Sequence, residues 1–317
     1  MRRVLCLLLA VCLLAAAGCG REESQADVPE APPAETPEAV TPASPAQAAP
    51  EEPVFQFTRE NFPVLDGSTS TVPLAEAAAA VLLGEEPETA AELIQFHKTT
   101  ASYRRLLDGT AELLLAAEPA EAIWAEKAEM GVEWVMEPFA LDGLIFVVSA
   151  ENPVGSLTAE QVRKLYTGEI TNWKDVGGAD EPVAAFQRNA EAGSQTMMKK
   201  LVMDGLELAQ PPTERVVETM YGLMEAVRGF DGSAGAIGYS VYYYANDMRM
   251  AEGLKILQID GVDPAPETFR DGSYPFTSPY YVLRRSGQQA PEGAKVLFDW
   301  MLSAEGQRLV SAWATPR

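Results

Sequence analysis

The chain predicts an α/β fold, and three observations carry that prediction. Helix and strand signals alternate from about residue 55 to residue 317, with no internal repeat. Several helices are marked by proline or a hydroxyl residue at the start and glycine at the stop. Two apolar runs without helical period, LDGLIFVVS at 141–149 and AGAIGYSVYYY at 234–244, read as buried strands. The stretch is long enough for one large domain or for two lobes, and if both runs cross between two lobes they form a hinge pair.

The first nineteen residues carry Arg2 and Arg3, an apolar run from Val4 to Ala15, and small residues ending in Gly18-Cys19. That run is too short to cross a bilayer and reads as an export signal. Its end resembles the lipobox of bacterial lipoproteins, with Ala16 where leucine is usual, so Cys19 is the expected lipidated residue. Residues 20–54 are rich in Pro, Ala and Glu, a composition that cannot bury enough apolar area to offset ordering. They are expected to form a disordered tether spanning roughly 30 Å.

Within the remainder, Pro73 suits the first position of a helix through LAEAAAAVLLG, and Gly84 suits its stop. Thr99 and Thr100 precede ASYRRLLDG, where Tyr103, Leu106 and Leu107 share a face and Gly109 ends the helix. Thr158 and Gln161 stand at capping-box spacing, with Leu157 and Val162 placed to staple across that turn. Ser194 is the expected cap of the helix in AGSQTMMKKLVMDG. The tyrosines at 242–244 are assigned to core or strand packing, Trp173 to a packing anchor, His97 to the surface or a strand end, and Asp66 to bracing the Asp-Gly turn.

Composition narrows the chemistry. Lysine and arginine number 24 against 46 acidic residues, a formal charge of −22. Nucleic acid and an anionic membrane surface are therefore excluded as partners. Cys6 and Cys12 lie inside the signal, so no disulfide framework or thiolate site is expected, and one histidine removes most metal and Ser-His schemes. No metal, no cofactor and no catalytic residue is expected.

Hydroxyl residues sit just ahead of a helix in three places, at Ser70-Thr71, at Thr99-Thr100 and at Ser194. Capping accounts for each one taken singly, but a helix start also offers unpaired N–H groups and partial positive charge to an anion. Arg188 lies six residues before Ser194, in reach of an anion held at the same helix start, and Glu118 ends an apolar run before Pro119.

The segments DGSTSTVPL, YRRLLDGTAELLLAAEP, LIFVVSAENPVGSLTAEQVRKLYTGEITNWKDVGG, FQRNAEAGSQT, IGYSVYYY and YPFTSPYYVLRR occur in an order that resembles the phosphate-binding lipoproteins of ABC phosphate importers, from about Phe62 onward. The resemblance implies a two-lobed periplasmic-binding-protein-like fold of type II with two crossing hinge strands. It divides the chain into lobe 1 at 55–147 and 241–317 and lobe 2 at 148–240. It also implies a monomer that buries inorganic phosphate between the lobes, partners an ABC permease, and touches the membrane only through its lipid anchor. Carried over by position, the expected ligands are Ser70, Thr71, the Val72 amide, Thr100, Glu118, Arg188, Gly193 and Ser194. Ala192 departs from the serine common in that family, which leaves one donor fewer.

Those residue types suit a buried dianion, whose lone pairs must be answered by donors. Exposed charges more than about 10 Å away are largely screened, so local donors outweigh the acidic body. A carboxylate at 118 would accept the hydrogen of hydrogen phosphate and repel sulfate. Other readings stay open: sulfate, molybdate, arsenate or an organic phosphate as ligand, a ligand-free sensor or structural lipoprotein, or a phosphohydrolase, for which GSTST lacks the P-loop lysine and no metal-ligand cluster is readable.

Overall fold

A computed structural model describes residues 55–231, 234–313 and 315–316. The expected signal, Cys19 and tether lie outside the described residues. Among those described, no helix is long and apolar enough to cross a membrane.

The mixed sheet contains eight strands: β1 (Leu65–Gly67), β2 (Leu113–Ala117), β3 (Trp134–Ser149), β4 (Ala184–Ala185), β5 (Ala236–Val241), β6 (Leu254–Ile256), β7 (Thr277–Arg285) and β8 (Thr315–Pro316). The order along its main path is β1-β2-β7-β3-β5-β4, with β6 and β8 also paired to β3. The sixteen-residue β3 organises the sheet. Its residues 134–143 pair antiparallel with β7, and Leu144–Val148 pair antiparallel with β5. β3 therefore belongs to two sets of strands and changes partner just past Asp142. Near-continuous apolar sequence from Leu144 to Val148 is what a strand covered on both faces requires, and all five residues are buried.

Helices cover this sheet: α1 (Val72–Leu83), α2 (Thr99–Asp108), α3 (Glu121–Met130), α4 (Ala159–Thr167), α5 (Gly193–Met197) and α6 (Met220–Arg228), with two more at Glu292–Leu302 and Ala304–Trp313. Local signals read correctly where the helix end is set by its own residues. Gly84 and Gly109 close α1 and α2 in the left-handed conformation. At α4 the capping box forms, with Gln161 N–H donating to Thr158 Oγ1 at 3.0 Å and Thr158 N–H to Gln161 Oε1 at 2.8 Å. Trp173 is fully buried and donates from its indole to the Gly235 carbonyl at 2.8 Å, which makes it the packing anchor expected.

One expectation is corrected. The 234–244 run is a strand only to Val241, beyond which Tyr243–Asp247 form a single π-helical turn. Asp142, buried where β3 changes partner, accepts the N–H of Gly143 at 2.7 Å and of Tyr243 at 3.2 Å on Oδ1, and so anchors that turn. Its Oδ2 has no partner among the described residues. Burial, with a smaller contribution from the Asp247 charge, pushes the Asp142 carboxyl up to about 7.

Candidate anion-binding site

A cavity of about 490 Å³ opens between the strand set around β2 and β7 and the set around β5. Three segments supply most of its polar wall: Ser68-Thr69-Ser70 after β1, His97-Lys98-Thr99 ahead of α2, and the stretch from Arg188 to Ser194. Tyr244 and Tyr280 add phenol groups.

Each segment is fixed by its own bonds. Ser68 Oγ accepts the Ala117 N–H at 3.1 Å and lies 3.0 Å from Thr99 Oγ1, which ties the first wall to the start of α2. Ser70 Oγ is 2.8 Å from the Tyr280 hydroxyl, a contact 210 residues apart in sequence. Burial raises the Tyr280 phenol well above its ordinary value, so it stays a hydroxyl.

Arg188 is the one arginine on this wall and is only 6 % exposed. Its Nε–H donates to the Val217 carbonyl at 3.0 Å, one Nη1 hydrogen to Ser194 Oγ at 3.3 Å, and one Nη2 hydrogen to the Glu218 carbonyl at 3.1 Å. A guanidinium has five N–H donors, so one hydrogen on each terminal nitrogen is left for a guest. The three bonds hold the plane of the guanidinium in place. No carboxylate pairs with Arg188 among the described residues, and burial draws its pKa down from the ordinary arginine value. A buried, unmatched cation with a free fork is a site for an anion with at least two oxygens.

Of the expected ligands, Ser70, Arg188, Gly193 and Ser194 line this one cavity. Gly193 is there for space: a β-carbon on it would lie 2.5 Å from Thr99 Oγ1, so the two walls approach too closely for any side chain. Ser194 does not cap α5; Ala192 occupies that position, without a side-chain cap, and the Ser194 hydroxyl turns to Arg188 instead.

The other four expected ligands are placed off the wall. Thr71 is fully buried and donates to the carbonyls of Ser68 at 2.8 Å and Leu115 at 2.6 Å, so its hydroxyl braces the loop. The Val72 amide donates to the Thr69 carbonyl. Thr100 Oγ1 donates to the Glu191 carbonyl at 2.6 Å, while Thr99, one residue earlier, takes the place on the wall. Glu118 is ion-paired with Lys200, which answers the carboxylate that was to receive a phosphate hydrogen.

Of the wall residues not among the expected ligands, Ser68, Thr69 and Thr99 belong to the hydroxyl stretches that the sequence marks, while Tyr244, Tyr280 and His97 were not expected there. Asp66 is buried and braces the first loop as expected, but it holds His97 and Arg105 as well. Among the described residues, no group of three His, Cys, Asp or Glu side chains is placed to hold a metal ion.

Comparison with known proteins finds relatives that share this fold. The "Phosphate-binding protein PstS" of Bacillus subtilis (strain 168) is 26 % identical over 249 residues, covering 78 % of this chain and 77 % of that one. The phosphate-bound crystal structure of a Clostridium perfringens protein, described as a phosphate ABC transporter substrate-binding protein, superposes with a TM-score of 0.60 at 25 % identity, over 78 % of this chain and 96 % of that one. An ABC-type phosphate transport receptor from Vibrio cholerae shares the fold, with a TM-score of 0.58 at 23 % identity over 78 % and 97 % of the two chains. The family model of the PBP superfamily domain matches residues 49–305. With that match over most of its length, on a mixed α/β fold, the chain belongs to the PBP superfamily.

Proposed function

We propose that this chain is an extracytoplasmic solute-binding lipoprotein that captures inorganic phosphate between two lobes and delivers it to an ABC importer. The observation that carries the reading is the free fork of buried Arg188, ringed by Ser70, Ser194 and the Gly193 backbone in one cavity. Ser68, Thr69 and Thr99 extend the ring. The relatives' names, which specify phosphate, support the choice of oxyanion. In this reading Cys19 anchors a monomer to the outer face of the cell membrane, lobe 1 comprises 55–147 and 241–317, and lobe 2 comprises 148–240. The change of partner in β3 just past Asp142, and the end of β5 at Val241, support the two crossings.

Calorimetric titration with phosphate and with sulfate tests the ligand. Micromolar phosphate binding requires about 8 kcal/mol. Charge-assisted hydrogen bonds of about 1.5–3 kcal/mol each from the Arg188 fork, with neutral ones from hydroxyls and amides, are sufficient for that after ordering costs. Phosphate that neither binds nor raises the unfolding temperature would remove the reading.

Position 192 offers a gain of function. Ala192 lines the cavity and stands at the N-cap of α5 with an extended backbone (φ −77°, ψ 135°), the conformation a capping serine adopts. Ala192→Ser is expected to tighten phosphate binding about tenfold, or to stabilise the ligand-free protein by roughly 0.5–2 kcal/mol where the new hydroxyl turns to the helix instead. Paired titration and thermal unfolding separate the two uses of one hydroxyl.

A further inference from the structure

His97 is the chain's single histidine, and it is not the bystander its sequence context suggests. Its side chain is 44 % exposed and lines the cavity. The remainder is clamped by Asp66, which is fully buried. Asp66 Oδ1 accepts the His97 backbone N–H at 2.7 Å, and Oδ2 lies 2.7 Å from His97 Nδ1. The same carboxylate accepts the Gly67 N–H at 2.8 Å and Arg105 Nε–H at 2.8 Å. Arg105 thus supplies a positive charge beside Asp66. Because an ionised carboxylate only accepts, the ring hydrogen of the singly protonated imidazole sits on Nδ1, and Nε2 is left with its lone pair.

The next residue is held in an unusual conformation. Lys98 has φ 70° and ψ 161°, a region nearly reserved for glycine. That turn puts His97, Lys98 and Thr99 on the same wall, although they are consecutive in sequence. The acidic side chains on the wall are engaged elsewhere: Glu191 pairs with Arg104 at 3.0 Å, and Glu218 Oε2 accepts from Asn189 at 3.2 Å.

We propose that His97 contacts the bound anion, its Nε2 accepting the hydrogen of monohydrogen phosphate, so that the Asp66–His97 pair selects phosphate over sulfate. The proposal rests on the phosphate-binding reading above. Sulfate carries no hydrogen at neutral pH and would set an oxygen lone pair against that of Nε2. Asp66 acts as the positioning residue, and Arg188 on the opposite segment supplies the charge that both anions share.

The test titrates the folded protein with phosphate and with sulfate separately, in the native chain and in His97→Phe and His97→Gln. His97→Phe is expected to weaken phosphate about tenfold and leave sulfate unchanged or tighter, so the ratio of affinities falls. His97→Gln, whose carbonyl can still accept a hydrogen, is expected to retain most of the preference. An unchanged ratio in His97→Phe, whether neither affinity moves or both fall together, overturns the proposal. Thermal unfolding without ligand checks that both variants fold, and His97→Leu, which likewise lacks an acceptor, takes the place of His97→Phe under the same criterion if that variant does not. Absence of phosphate binding in the native chain is a different result, which overturns the functional reading itself.

Discussion

Arg188→Gln is expected to weaken phosphate binding by about a hundredfold or more. Two charge-assisted hydrogen bonds from the free fork are lost, each worth about 1.5–3 kcal/mol, and each 1.4 kcal/mol is a factor of ten. The three remaining N–H groups are also structural. Without them the carbonyls of Val217 and Glu218 lose donors, so a folding penalty of roughly 1–3 kcal/mol accompanies the binding loss. Arg188→Lys keeps the charge and discards the planar fork, and should fall between glutamine and the native residue. Calorimetry combined with denaturant unfolding separates the two effects. Undiminished phosphate affinity in a folded Arg188→Gln protein would show that the anion binds elsewhere.

The second large effect concerns pH and lies away from the cavity, at the point where β3 changes partner. Asp142 keeps its proton in the folded chain until about pH 7, whereas its ordinary value is 3.8. Between those values the folded state holds a proton that the unfolded state has released. Stability must therefore fall as pH rises through this window, by up to about 4 kcal/mol for a shift of that size. Asp142→Asn cannot ionise, yet it keeps the carbonyl that accepts from Gly143 and Tyr243. The variant is expected to be more stable than the native chain at pH 8, by roughly 2–4 kcal/mol, and to match it within about 1 kcal/mol at pH 4.5. Denaturant midpoints at both pH values check this. A native protein equally stable at both, relative to the variant, would mean that Oδ2 is solvated or paired in solution.

Much of the fold was legible because its signals are local. A capping box at Thr158 and Gln161, or a glycine stop at position 84, involves residues within one helical turn, and local geometry determines the outcome. The site was harder to read. Thr99 and Thr100 differ by one position, yet one faces the cavity and the other bonds to Glu191, because the start of α2 is set by the turn at Lys98. Nothing within the segment LLLAAEP announces that Glu118 meets a lysine 82 residues away. The contact of Ser70 with Tyr280 is equally remote. Ser194 was expected as a cap because hydroxyls before helices usually are. Its partnership with Arg188 became visible only once Ala192 was found in the capping position. His97 lies at the surface as expected, but its tie to Asp66, a carboxylate 31 residues earlier, is not legible in its own segment.

The contacts that hold Thr100 and Glu118 off the cavity wall have a role of their own. Thr100 and Arg104 on α2 hold Glu191 ahead of α5, and Glu118 at the end of β2 holds Lys200 just beyond α5. These links run from the side of the molecule built on β1 and β2 to the side that carries α5. The two sides are thus joined by contacts of their own, whatever the cavity holds. Both ion pairs are partly exposed, with side chains 42 % and 59 % accessible in one and 57 % and 23 % in the other, so each contributes only about 0–1 kcal/mol and the seam between the two sides opens at modest cost.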